Sequence, residues 1–130
     1  MTKSKKIFVG RYAMNRGTVV LHLDPGVSGG SGSHGWYEGS GYCADVSIGA
    51  LDLEWPQLVR ALLHELLELS ALRERCHYHG SGTLLPVPVD SYLLVMDHPQ
   101  FTRVVDEAGD ALAYALPDME KAWKKWKKEK

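Results

Sequence analysis

Apolar residues recur along this chain with two different periods, and the change from one to the other divides it into a strand-forming first part and a helical second part. Lys6-Ile7-Phe8-Val9 and the run Gly17 to Leu23 have the β-branched and apolar density of strands. The turn-like Met14-Asn15-Arg16-Gly17 between them predicts that they pair as an early hairpin. Tyr42 to Ile48 alternates, placing Tyr42, Ala44, Val46 and Ile48 on one face of a further strand. The period then lengthens. Leu58, Val59, Leu62, Leu63, Leu66, Leu67, Leu69 and Leu72 cover much of a helix circumference, with Asp52 as its N-cap, Pro56 near its first turn and an end at about Arg75. Phe101, Val104, Val105, Ala108, Leu112 and Ala115 mark a second helix, capped by Asp97 and closed by Pro117. A last helix from Asp118 carries Trp123 and Trp126.

The stretches between these elements have their own chemistry. From Pro25 to Gly41, seven glycines alternate with serines, a composition expected to form a mobile or ligand-shaped loop rather than a packed element. Cys76 to Gly82 closes the turn after the first helix. Leu84-Leu85-Pro86-Val87-Pro88-Val89 is extended, because alternating prolines forbid a helix, and Ser91 to Met96 is a short strand or an extended lead-in. No repeat or linker interrupts the order. The expectation is a single α+β domain over residues 1–130: a small antiparallel or mixed sheet packed on one long helix, with two further C-terminal helices. Residues 25–41 form its glycine- and serine-rich loop, and residues 118–130 a basic C-terminal helix or tail.

Composition narrows the function classes only moderately. The 130 residues allow one domain with a real core, and 45% apolar with 24% charged residues is ordinary for a globular protein. A formal net charge of -1 argues against a surface built throughout to hold nucleic acid. The balance is local, however: six of the fifteen basic residues fall between Glu120 and Lys130. No apolar run approaches the ~20 residues that span a bilayer, and the first residues do not lead into a secretory segment, so a cytoplasmic location is the expectation. Two cysteines, Cys43 and Cys76, are too few for a disulfide framework and are expected to be reduced.

The chemistry concentrates in Leu62-Leu63-His64-Glu65-Leu66-Leu67-Glu68-Leu69. Residues four apart share a helix face, so His64 and Glu68 point the same way and can grip one metal ion. Glu65 projects about 100° further around the axis and can address a water beside that ion. A hydrolytic zinc site needs three protein ligands, an open position for water, and a carboxylate to take the water's proton. His64 and Glu68 supply two ligands and Glu65 the general base. His98, beside the capping residue Asp97, is the candidate third ligand.

This H-E-x-x-E arrangement resembles the H-E-x-x-H helix of the zincin metallopeptidases, with Glu68 in place of the second histidine. From about Tyr42 to Leu116 the chain looks like the small zincin-like proteins of phages and mobile elements: a strand, the motif helix, then a second helix whose entrance carries a histidine or acid. The resemblance implies bound Zn2+, a peptide or protein substrate, and metal-assisted amide hydrolysis. Asp106 to Pro117 is also similar to the later helix of the repressor-cleaving, immunity-type minimal peptidases, and that alignment names Glu107 as the third ligand. His34 and Trp36 in the glycine-rich loop are then candidate substrate contacts.

A rival reading belongs to a different class: a non-enzymatic binding or assembly protein, either a degenerate zincin or an unrelated fold whose helix carries the motif by chance. Glu68 favours it, because a carboxylate in place of a neutral imidazole makes a metal-bound water less acidic, and Glu65, Glu68, Arg73, Glu74 and Arg75 also suit a solvated, salt-bridged face. Cys76-His77-Tyr78-His79 offers zinc-ligand types in a cramped spacing that suits a surface turn better. Asp45 reads as a partner to a ligand histidine or as an outward-facing polar residue. In the tail, Trp123 and Trp126 lie three apart opposite the lysines, which suits docking on the domain, or contact with nucleic acid or an anionic surface.

Overall fold

A computed structural model of the chain describes residues 6–27, 31–33, 36–39, 41–75, 77–79 and 92–129. The first two strands, β1 (Ile7–Met14) and β2 (Gly17–Asp24), form the expected hairpin. Its turn is Asn15-Arg16, both with positive φ (51° and 61°), the mirror-image turn whose twist matches that of paired strands. The register slips once, between Phe8 and Gly10, so β1 carries a bulge.

Within the glycine-rich stretch the described residues include two short strands. Ser31–Ser33 (β3) and Tyr37–Gly39 (β4) both pair antiparallel with β5 (Gly41–Gly49), Ser31 opposite Ile48 and Tyr37 opposite Cys43. The reason is local: a hairpin closing at Gly39 and Gly41 needs little from side chains, and Gly41 takes a φ of 116° that only glycine adopts without strain. On its other edge β5 runs parallel to β2, with Thr18 opposite Cys43 and Asp24 opposite Gly49. The sheet is therefore mixed, ordered β1-β2-β5-β3 with β4 also on β5.

Helix α1 (Trp55–Arg73) starts two residues later than Asp52 suggested. Glu54 is its N-cap, and Gln57 Oε1 reaches back to accept from the Glu54 N–H at 2.7 Å. A second small sheet follows, β6 (His77–His79) antiparallel to β7 (Tyr92–Leu94), so the expected turn at His77 is a strand. The two expected C-terminal helices are one, α2 (His98–Glu129), with Pro117 inside it. Proline removes one helix hydrogen bond and costs roughly 3 kcal/mol in an interior position. Burial on both sides outweighs that cost: Ala108, Ala111 and Ala115 before the proline and Met119 after it are all buried in the same core.

Both helices cover one face of the sheet. Tyr12, Met14, Val19, Leu21, Leu23, Ala44, Val46 and Ile48 meet Leu58, Leu62, Leu66 and Leu69 of α1 and the small residues of α2. The helices run antiparallel, because Trp55 stacks on Trp123 (5.6 Å between ring centres) while Glu74 at the far end of α1 pairs with Arg103. The whole is α+β. No helix of the described residues is long and apolar enough to cross a membrane.

Candidate metal centre

The apolar stripe that docks α1 on the sheet runs through Leu58, Leu62, Leu66 and Leu69, and Glu65 falls inside it with 5% of its surface exposed. A leucine-like position is thus held by a carboxylate, which is costly unless the charge is partnered. Glu65 is not left without a partner there. His64 and Glu68 flank it on the solvent side, with side-chain exposures of 63% and 31%, and His64 Nε2 lies 2.9 Å from Glu68 Oε1. One ligand-type atom from each of His64, Glu65 and Glu68 falls within 4.8 Å of the others. Three donors thus descend from water into the core along a single helical turn.

The donor set suits a divalent ion. Zinc bonds to imidazole nitrogen and carboxylate oxygen measure about 2.0–2.2 Å, so two atoms 2.9 Å apart lie within the span of one ion. One imidazole and two carboxylates match the borderline metals rather than the all-oxygen cages of calcium. Of the three, His64 and Glu68 present their donors on the solvent side, and Glu65 is the least exposed.

The expected third ligands do not join this group. His98 is the first residue of α2, exposed, with its carbonyl accepting from Thr102 Oγ1 at 3.0 Å. Antiparallel docking carries it to the C-terminal end of α1, where its near neighbour Gln100 donates from Nε2 to the Glu74 carbonyl at 3.4 Å. Ten residues separate His64 from Glu74, about 15 Å of helix. Glu107 is turned toward the hairpin instead, its Oε2 accepting from the Asn15 N–H at 2.7 Å. Asp97 does cap α2 as expected, in a reciprocal pair of bonds with Gln100 (2.8 and 3.0 Å).

Trp36 is a structural residue in this fold. Its Nε1 donates to the Leu69 carbonyl at 2.8 Å, its ring packs on Tyr42, and a Cβ placed at Gly17 would come within 2.7 Å of it. His34 and Cys76 lie outside the described residues, as do the side chains of His77 and His79. Asp45 faces outward and accepts from Tyr37 Oη at 3.0 Å. In the C-terminal turns Trp123 packs against the core, and Lys127 Nζ lies 5.6 Å from its ring centre and 5.3 Å from that of Trp126. Cys43 is a free thiol.

The sequence placed Arg73 on a solvated, salt-bridged face and did not show its role in joining elements. Its guanidinium lies 3.6 Å over the Tyr42 ring and its Nε donates to the Asn15 carbonyl at 3.3 Å, tying α1 to both β5 and the hairpin turn. Only its position one turn beyond the last core leucine hinted at this. Among known proteins, no protein family, no curated protein and no solved structure matches the chain.

Proposed function

We propose that α1 carries a zinc-type metal site and that the chain is a zincin-like hydrolase acting on amide bonds, with His64 and Glu68 as ligands and Glu65 as general base. The observation that supports this reading is the convergence of His64, Glu65 and Glu68 within 4.8 Å, with a buried carboxylate at a position the helix pattern reserves for an apolar residue. A bound divalent ion would supply Lewis-acid activation of water and of the scissile carbonyl. Glu65 would take the water's proton and pass it to the leaving nitrogen, a role helped by its low exposure, which keeps bulk water from competing. Leu62 and Leu66 on either side fix its position on a rigid helix.

A second reading, a metal-binding protein without catalysis, is favoured by one observation: among the described residues neither His98 nor Glu107 completes a third ligand position. A single experiment separates them. Metal content and hydrolysis of an unstructured peptide library are measured on the same samples of wild type, Glu65→Gln and His64→Ala. The catalytic reading expects Glu65→Gln to keep its metal while hydrolysis falls by about 10² to 10⁴, and His64→Ala to lose both. Metal-loaded wild type that cleaves nothing selects the second reading, and a wild type that takes up no metal removes both.

A further inference from the structure

Three arginines from three elements line one pocket of about 440 Å³: Arg16 of the hairpin turn, Arg73 of α1 and Arg103 of α2, together with Asn15, Glu74 and Glu107. Their charges are unevenly matched. Arg103 is paired with Glu74. Arg73 is held flat on Tyr42, and among the described residues its one side-chain hydrogen bond uses Nε, which leaves both Nη groups as donors at the end of a fixed plane. Arg16 is exposed and makes no ion pair among the described residues. On the acceptor side, Glu107 uses only Oε2 among the described residues, on the Asn15 N–H. Asn15 itself is 7% exposed, and its Oδ1 is buried without a donor.

The pocket thus offers spare guanidinium donors beside spare carboxylate and amide acceptors, with three positive groups against two negative. Planar guanidinium donors match a carboxylate in a fork, and the single net positive charge suits a monoanion. A phosphate dianion would bring two charges against one and set them near Glu107. The unused acceptors call for an N–H next to the anion. We propose that this pocket binds an α-amino carboxylate group, the unit shared by a free amino acid and the carboxyl end of a peptide. The carboxylate lies between Arg16 and Arg73, and its neighbouring N–H donates to Glu107.

The test is an NMR titration at constant ionic strength that follows the backbone amides of Asn15, Arg16 and Gly17. The probes are alanine, N-acetyl-alanyl-alanine, the same peptide with an amidated end, and inorganic phosphate. Saturable shifts with alanine or the free-acid peptide, and none with the amidated peptide, are expected; response to alanine alone assigns a free amino acid, and response to the peptide alone assigns a chain end. Arg16→Asn keeps a residue that tolerates the turn's positive φ, and Arg73→Lys keeps the charge but loses the fork. Each should weaken binding about tenfold or more, the worth of one charge-assisted hydrogen bond, and in Arg16→Asn the rest of the spectrum should be unchanged. No saturable shift with either carboxylate, tighter binding of phosphate than of both, or full affinity in Arg16→Asn overturns the proposal.

Discussion

Tyr12 shows how one side chain couples the sheet to the end of α2. Its ring is buried in the core and its hydroxyl donates to Asp118 Oδ2 at 2.7 Å. Burial first, and then the hydrogen bond to the Asp118 carboxylate, raise its pKa well above the usual tyrosine value of 10.0. A raised pKa favours the neutral form in the folded state, so this contribution is full below pH 10 and is lost as the pH climbs through the folded-state value. Tyr12→Phe should therefore cost about 1 kcal/mol near neutral pH. Urea unfolding of both proteins at pH 8 and pH 11 checks it: the gap between them should narrow at pH 11, and a gap that stays constant contradicts the assignment.

At the scale of elements, the period of the apolar residues marks the hairpin, β5 and both helices, because in each the pattern is set by one face meeting the same core. What it does not show are the places where backbone pairing or distant burial decides. The short strands at Ser31–Ser33 and Tyr37–Gly39 follow from pairing with β5, and three residues apiece are too few to show an apolar period. Pro117 reads locally as a helix end, yet Met119 beyond it is fully buried and holds the helix on course. Pro117→Ala should therefore stabilise the protein, by about 1–3 kcal/mol in thermal unfolding, through the restored bond to the Ala113 carbonyl. A lower melting temperature would show instead that the proline shapes α2 to the sheet. The site divides in the same way: His64, Glu65 and Glu68 converge by helix geometry alone, whereas the placement of His98 and Glu107 depends on how α2 docks, which no local spacing reports.

For the whole molecule, a metal held by α1 as proposed would act on the fold through mass action, because the three donors come together only when the helix is formed. At a hundredfold excess of free metal over its dissociation constant the native state gains about 2.7 kcal/mol. In a domain of this size that is about 10 °C of melting temperature. Chelation should lower the melting temperature of the metal-loaded wild type and leave His64→Ala unmoved; identical curves with and without chelator would rule out the metal site. The parallel pairing of β2 with β5 has a different kind of consequence, in time rather than in stability. The β1–β2 hairpin closes over a two-residue turn, whereas β2 meets β5 only after a long glycine-rich intervening segment has been brought round. Closing that loop costs entropy before any contact rewards it. A growing chain would thus present the Thr18–Asp24 edge of β2 unpaired until Gly49 had been made, and that interval is when the protein is most open to pairing with the wrong strand.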